Sequence, residues 1–266
     1  LEIAKIRAAR YLWAKILEAY GILDKSQAKM YIHSTSSEWN KTIYDPEVNM
    51  LRTTTETMST IIGGADSITV DAYNKTYEET NTFTERIARN QQHLLKEESY
   101  LDKVIDPAAG SYYIENLTNS LIEESWKLFL EIDEKGGYLE SLFAGEIQSR
   151  IKETANKRDL MIAQRREILL GTNEYPNFTE SIKKEIQVLE QDDKKGDDDE
   201  LIVEPLRLYR GANAFEKLRY NTDMYSLKNS RPKVFMLTLG SLAMRRARSQ
   251  FSGNFFGCAG FEIIDN

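Results

Sequence analysis

The chain has 266 residues, of which 41% are hydrophobic and 29% charged, and its formal net charge is −7. This composition can build a core of one or two domains, and its acidic balance disfavours a general nucleic-acid or anionic-membrane binder. One cysteine, Cys258, and two histidines, His33 and His93, are too few for a disulfide framework or a usual zinc cluster, and they fit a reducing cytoplasm. The longest apolar stretch, residues 234–244, is too short to cross a bilayer.

Helical and extended segments alternate in the first part of the chain. Apolar residues at helical spacing predict a first helix over residues 2–20. The sequence opens inside this helix without a methionine, so we expect it to be cut from a longer chain. Asp45 as N-cap and Pro46 as first helical residue predict a second helix that reaches Ile62. Short strands are predicted on either side of it, at residues 29–35 and 67–70. This order and length are typical of a βαβ unit.

Helices dominate the middle of the chain. Thr82 and Glu85 have the spacing of a capping box that would begin a helix over residues 83–99. Three more helical segments follow, at residues 118–134, 138–144 and 145–168. Two consecutive glycines, Gly136 and Gly137, separate the first two of these, which predicts an αα-hairpin.

The composition changes between residues 176 and 232, where prolines flank an acidic and polar run over residues 191–200. We interpret this region as a linker with one short helix over residues 214–219. The run contains three consecutive aspartates, but it lacks the D-x-D-x-D-G pattern of a calcium loop. A solvated linker is therefore the favoured interpretation of this region.

A second strand–helix–strand unit follows the linker. Residues 233–239 form a continuous apolar run of the type that is buried in parallel sheets. A helix is predicted over residues 241–256 and a further strand over 261–264. This order is typical of the opening of a doubly wound α/β domain.

Few side chains offer chemistry, and no enzyme motif such as G-x-G-x-x-G, a P-loop, H-E-x-x-H or G-x-S-x-G is present in the sequence. His33 lies at the predicted C-terminal end of a strand, the end that faces the active site in a (β/α)₈ barrel. The alternative is a structural histidine that bonds to backbone at a loop mouth, which is a common role for a lone histidine. His93 lies within a predicted helix and is expected at the surface.

Charged side chains near the predicted strands have two interpretations. Asp66, Asp71 and Glu79 surround the second strand and could serve as acid–base groups. We favour the simpler interpretation that they are polar loop residues. The last helix carries three basic residues, Arg245, Arg246 and Arg248. They could meet a phosphate or an acidic partner, although such a set more often forms a solvated or interface face.

Several blocks of sequence resemble the methylmalonyl-CoA mutase family. Residues 33–39, His-Ser-Thr-Ser-Ser-Glu-Trp, resemble the H-C-Q-T-S-G-W loop of the family's barrel. Further similar blocks are residues 45–54, 63–70, 86–91 and 106–113. The resemblance implies an α/β fold in three parts. These are the C-terminal portion of a (β/α)₈ TIM barrel over 1–175, a helical linker over 176–232, and the start of a degenerate flavodoxin-like domain of the cobalamin-binding type over 233–266.

Departures from the family pattern separate this chain from the catalytic chain of the family. The catalytic chain carries D-x-H-x-x-G after the first strand of its C-terminal domain, and that histidine is the lower ligand of cobalt. Residues 240–245 here read Gly-Ser-Leu-Ala-Met-Arg. In the barrel, Thr35 replaces a glutamine, Thr69 replaces a histidine and Asp71 replaces an asparagine. His33 is retained and is the one substrate-binding candidate.

These losses resemble those of the small (β) subunit branch of the family. The resemblance implies a chain without catalytic, cofactor or metal residues of its own, located in the cytoplasm. Its implied partner is a large catalytic subunit that holds adenosylcobalamin and interconverts (R)-methylmalonyl-CoA and succinyl-CoA. Neither nucleic acid nor membrane is an expected partner.

Two other functions remain as alternatives. The first is a fragment of an altered acyl-CoA-binding enzyme of the mutase family that uses His33. The second is a helical interaction module without a ligand. The missing cobalt ligand disfavours ordinary mutase chemistry in this chain, and the family blocks disfavour the helical module.

Overall fold

A computed structural model describes residues 1–22, 24, 26–183, 186, 202–237 and 239–265. The fold is a helix-rich α/β arrangement, as the sequence predicts. Its helices are α1 (Glu2–Ala19), α2 (Val48–Ile62), α3 (Thr82–His93), α4 (Tyr112–Glu134), α5 (Tyr138–Phe143), α6 (Glu146–Ala163), α7 (Asn213–Ser226) and α8 (Leu242–Cys258). A π-helical turn, Leu94–Glu98, continues α3. The strands are β1 (His33–Thr35), β2 (Ser67–Thr69), β3 (Lys233–Phe235) and β4 (Glu262–Ile264). No helix in the described part of the chain is long and apolar enough to cross a membrane.

The chain divides into two compact units, each built from several segments. Unit 1 comprises Leu1–Ser37, Leu51–Ala72 and Asn81–Ile147. Unit 2 comprises Glu38–Met50, Tyr73–Thr80 and Gln148–Asn266. The domain boundaries at residues 175 and 232 remain a prediction from the sequence.

In unit 1, α1 packs against α4 and a two-stranded parallel sheet forms from β1 and β2. Ala4, Ile6 and Ala8 are the buried residues of α1. The guanidinium of Arg7 joins the two helices, donating to Glu115 at 2.8 Å and to Thr118 at 3.2 Å. This ion pair holds the pKa of Glu115 below its usual value, mainly through the hydrogen bond from the guanidinium.

Two predicted helix starts are wrong in detail. The N-cap of α3 is Asn81, whose side chain accepts from the N–H groups of Phe83 and Thr84 at 3.0 and 3.1 Å. Asparagine is among the best N-cap residues, so the capping box begins one residue before the predicted Thr82–Glu85 pair. Asp45 is not the N-cap of α2, because its φ is +50° and the helix begins at Val48.

Other helices follow the predicted pattern with shifted ends. α4 begins at Tyr112, six positions before the predicted start at 118, directly after Gly110 (φ +78°) and Ser111. α6 ends at Ala163 instead of 168, because Arg165 adopts a φ of +58° that reverses the chain. The predicted hairpin at the double glycine is confirmed, with Lys135–Gly137 connecting α4 to α5.

In unit 2, α7 is the central buried helix, and it is longer than the predicted 214–219 segment. Three of its charged residues, Glu216, Arg219 and Asp223, are each at most 2% exposed. The sequence pattern underestimated the length of α7, because its buried face carries paired charges in place of apolar residues. The acidic run at 191–200 lies outside the described residues.

The strands are shorter than predicted because each pairs with one short partner. β1 covers only three residues of the predicted 29–35, matching the three residues of β2. β3 likewise ends at Phe235, since its parallel partner β4 ends at Ile264. The prediction of a buried apolar strand over 233–239 is wrong beyond this point. Phe235 is 57% and Leu237 77% exposed.

Candidate functional site

The two-stranded sheet of unit 1 presents a polar face that contains the predicted site residue. His33 and Thr35 of β1 stand in register with Ser67 and Thr69 of β2. Side chains alternate along a strand, so each pair of residues two apart lies on one face of the sheet. This face carries three hydroxyls, from Thr35, Ser67 and Thr69, and the imidazole of His33.

The His33 ring is held by the hydroxyls of the neighbouring strand. Its Nδ1 lies 2.7 Å from Ser67 Oγ, and its Nε2 lies 3.2 Å from Thr69 Oγ1. A hydroxyl both donates and accepts, so the two contacts satisfy either neutral tautomer. Side chains therefore orient the ring. The alternative prediction, a hydrogen bond from His33 to the backbone, is wrong, because the ring bonds to two hydroxyls of β2. The sequence placed His33 at the C-terminal end of the strand. In the structure it is the first residue of β1, because only residues 33–35 of the predicted 29–35 form the strand.

The acidic candidates of the first unit have structural partners. The Asp66 carboxylate accepts the N–H of Ile32 at 2.7 Å and a bond from Arg10 at 2.6 Å. These two bonds hold the pKa of Asp66 below its usual value, with the backbone bond as the larger cause. The bond to Ile32 connects the residue before β1 to the residue before β2. A carboxylate that is kept ionised in this way is also a poor general acid. The N–H of Asp71 donates to Ser36 Oγ at 2.9 Å.

The remaining candidates are spread over both units. Glu79 is exposed, belongs to unit 2 and accepts a bond from Asn74 at its backbone oxygen. His93 is the last residue of α3 and is exposed, as predicted. Arg245, Arg246 and Arg248 lie on α8, where Arg246 borders a cavity. Within the described ranges, no group of three or more histidine, cysteine, aspartate or glutamate side chains could hold a metal ion.

Cys258, at the end of α8, is buried with 2% exposure. Burial raises the pKa of its thiol to about 11, since the thiolate would lose its hydration. The thiol therefore stays protonated at neutral pH.

A buried ionic cluster around α7 is a feature that sequence reasoning missed. Glu216 accepts the N–H of Ile43 at 2.7 Å and pairs with Arg210 at 2.6 Å. Asp223 accepts the hydroxyl of Tyr44 at 2.8 Å and also pairs with Arg231. The spacing of charges along α7 was the available signal, because residues three, four or seven apart lie on one helix face.

The same cluster fastens a second segment to α7. The N–H of Ile182 donates to Asp223 at 2.9 Å. The Arg219 guanidinium lies 4.1 Å from the centre of the Tyr44 ring and donates to the backbone oxygens of Asn177 and Glu180. Burial and the nearby Asp223 carboxylate raise the pKa of the Tyr44 hydroxyl. The Glu216 and Asp223 carboxylates and the Arg219 guanidinium all bond to protein groups, which indicates a structural role for the cluster.

Comparison with known proteins gives one family. The family model described as Methylmalonyl-CoA mutase matches residues 1–226. The chain is 53% identical over 270 residues to the methylmalonyl-CoA mutase small subunit of Porphyromonas gingivalis, covering 100% of this chain and 42% of that protein. It is 37% identical over 267 residues to the small subunit of Streptomyces virginiae, covering 99% and 41%.

A large subunit also matches, over a shorter region. The methylmalonyl-CoA mutase large subunit of Porphyromonas gingivalis is 38% identical over 175 residues, which is 66% of this chain and 24% of that protein. The chain thus spans about 42% of the length of the small subunit of the same organism.

Proposed function

Because this chain belongs to the methylmalonyl-CoA mutase family, we propose that it is part of the small, non-catalytic subunit of a heterodimeric mutase. The observation that carries this proposal is the extent of similarity. Proteins named small subunit match 99% and 100% of this chain, whereas the large subunit of Porphyromonas gingivalis matches 66%. The similarity to small subunits therefore includes a region beyond the match to that large subunit.

The proposal includes the three-part architecture. Residues 1–175 would close a (β/α)₈ barrel, 176–232 would be the linker, and 233–266 would begin a flavodoxin-like domain. Parallel pairing supports this assignment in each part, since β1 and β2 are joined through α2, and β3 and β4 through α8. Parallel strands joined through a helix are the repeating unit of both folds.

Adenosylcobalamin is expected on the large subunit, because the donors of this chain do not fit the corrin. The lower ligand of cobalt in the family is an imidazole, and both histidines of the sequence, His33 and His93, belong to unit 1. The two hydroxyls already hold the His33 ring. The sulfur donor near β3 and β4 is Cys258, and its buried thiol is protonated at neutral pH with a pKa of about 11.

The proposed task is to support the large subunit during interconversion of (R)-methylmalonyl-CoA and succinyl-CoA, in the cytoplasm. An obligate partner interface is large and apolar. Exposed apolar side chains on α4 suit such an interface, since Trp126, Phe129 and Leu130 are three and four positions apart and share one face, where Phe129 and Leu130 are 45% and 42% exposed.

A cobalamin titration tests the proposal. The full-length protein that contains this chain would be titrated with adenosylcobalamin, alone and mixed with its large subunit, and followed by visible absorption. We expect no spectral change with the small subunit alone and a histidine-ligated spectrum in the mixture. Tight binding by the small subunit alone, with a spectrum that shows an axial ligand, would overturn the proposal.

The polar face around His33 favours one alternative, an altered acyl-CoA-binding enzyme of the same family. This alternative predicts that the full-length protein without its large subunit binds a coenzyme A ester through His33. The matched pair is His33→Ala and His93→Ala, because His93 is an exposed histidine of the same unit. Loss of ester binding in the first variant and not in the second would favour the alternative over the structural subunit.

A further inference from the structure

Unit 2 contains a cavity of about 920 Å³ between α8, β4 and the segment Tyr175–Phe178. This volume lies within the roughly 300–1,000 Å³ that is usual for small-molecule pockets. The cavity borders the α7 cluster through Arg231, which pairs with Asp223, but neither of the functions above uses it.

One wall of the cavity is aromatic and held in place by its surroundings. Phe178 is 60% exposed, and its ring lies against Gly257 of α8 so closely that any side chain at that glycine would overlap it. Tyr175, beside it, is 62% exposed and has a φ of +53°, a conformation that L-residues rarely adopt. Backbone strain of this kind tends to occur at ligand sites. Phe261 adds a third ring to the lining.

A second part of the lining is polar and comes mainly from one face of α8. The two carboxylates of the lining, Glu262 and Asp265, already interact with protein groups, Glu262 with Lys233. Arg246, Ser249 and Gln250 line the cavity at helical spacing. The other arginine of the lining, Arg231, is already paired with Asp223 and donates to the backbone oxygen of Gly260. Among the described residues, the side chains of Arg246, Ser249 and Gln250 make no hydrogen bond or ion pair, so their donors are available to a ligand.

The aromatic part and the polar part of the lining lie at different positions along α8. Arg246 and Gly257 are eleven positions apart, and at 1.5 Å per residue this separation is roughly 16 Å. An isolated ring or an isolated anion would reach only one end of the cavity. A ligand that contacts both ends must carry a flat ring and an anionic group at some distance from each other.

We propose that this cavity binds a purine nucleotide. The base would lie against Phe178, because base–aromatic stacking tolerates any base. The amide of Gln250 would meet a donor and acceptor pair on the edge of the base. The guanidinium of Arg246 would bind the phosphate, for which its planar fork is well suited. This proposal does not depend on the role as a mutase subunit.

The test uses the full-length protein that contains this chain and isothermal titration calorimetry. The probe is adenosine 5′-monophosphate, with adenosine and inorganic phosphate as separate arms. We expect the nucleotide to bind at least about tenfold more tightly than either part, since a hydrogen bond to a charged group accounts for that much. Equal affinity of phosphate and nucleotide, or no nucleotide binding, would overturn the proposal.

Matched variants locate the site on this chain. Arg246→Gln should weaken nucleotide binding about tenfold or more, whereas Arg248→Gln, an exposed arginine of the same helix outside the cavity lining, should change it less than twofold. Phe178→Ala and Phe251→Ala form a second pair of exposed phenylalanines, of which only Phe178 lines the cavity. Equal effects within either pair would show that binding occurs elsewhere. Circular dichroism of each variant separates loss of binding from loss of folding.

Discussion

Replacing Glu216 with alanine should destabilise the protein by about 3–5 kcal/mol, the usual cost of breaking a buried ion pair by removing one partner. Glu216 is 0% exposed, and the side chain of its partner Arg210 is 7% exposed. The variant would leave a buried guanidinium without its counter-charge and the N–H of Ile43 without its acceptor at 2.7 Å. The measurement is the free energy of unfolding from urea denaturation of the full-length protein.

The matched control is Glu153→Ala on α6. Glu153 also pairs with a basic residue, Lys157, but both side chains are about 70% exposed, at 68% and 71%. Exposed pairs of this kind contribute little to stability, because water screens both charges. If Glu216→Ala costs no more than Glu153→Ala, then Glu216 is solvated and the reasoning from burial is wrong.

A double variant tests whether the cost arises from the stranded charge. Arg210→Met combined with Glu216→Leu removes both charges and keeps similar volumes. Buried ion pairs can often be replaced by apolar residues at little cost. We therefore expect the double variant to be more stable than Glu216→Ala alone. A double variant that is less stable would show that the hydrogen bonds to backbone outweigh the charge.

Three further predictions concern packing, pH and reactivity. Gly253→Ala should stabilise α8 by up to about 1 kcal/mol, since its new Cβ meets only ordinary contacts from 3.7 Å outward, whereas Gly257→Ala should destabilise it, because the ring of Phe178 must move. The urea midpoint should therefore rise above that of the wild type for Gly253→Ala and fall below it for Gly257→Ala. The pKa of Asp66 is lowered in the folded state, so the stability it contributes is present above the ordinary value near 3.8 and is lost as the pH falls through the lowered value. Asp66→Asn should accordingly reduce stability at pH 6 and converge with the wild type in strong acid. Cys258 should react with a thiol reagent at pH 8 at least about 100-fold more slowly in the native than in the unfolded protein, because it is buried with a pKa of about 11; mass spectrometry of its peptide measures this.

Helices with a clear apolar stripe were predictable from the sequence. The predicted 2–20 and 241–256 segments differ by at most two residues from α1 and α8. Their periodicity is a local property, and each helix hydrogen-bonds within itself. Strand lengths were not predictable in the same way, because a strand ends where its partner ends. β3 stops at Phe235 although the apolar run continues.

The α7 cluster shows why buried polar elements escape pattern analysis. Binary patterning treats Glu216, Arg219 and Asp223 as surface residues, and here they are the interior. Their partners come from positions 43, 44, 182, 210 and 231, so the pairing is set by tertiary structure. No local spacing contains that information.

The polar face of unit 1 bears on why His33 is retained where neighbouring positions differ from the family pattern. The family resemblance places Thr69 where the catalytic chain has a histidine, and the Thr69 hydroxyl is one of the two partners of the His33 ring, at 3.2 Å. Ser67, in direct register with His33, supplies the other at 2.7 Å. Cross-strand hydrogen bonds between side chains stabilise the pairing of the two strands. Both bonds join β1 to β2 without any bound substrate. Retention of His33 is therefore explained by strand pairing alone, and only ester binding that distinguishes His33→Ala from His93→Ala would require a second role for it.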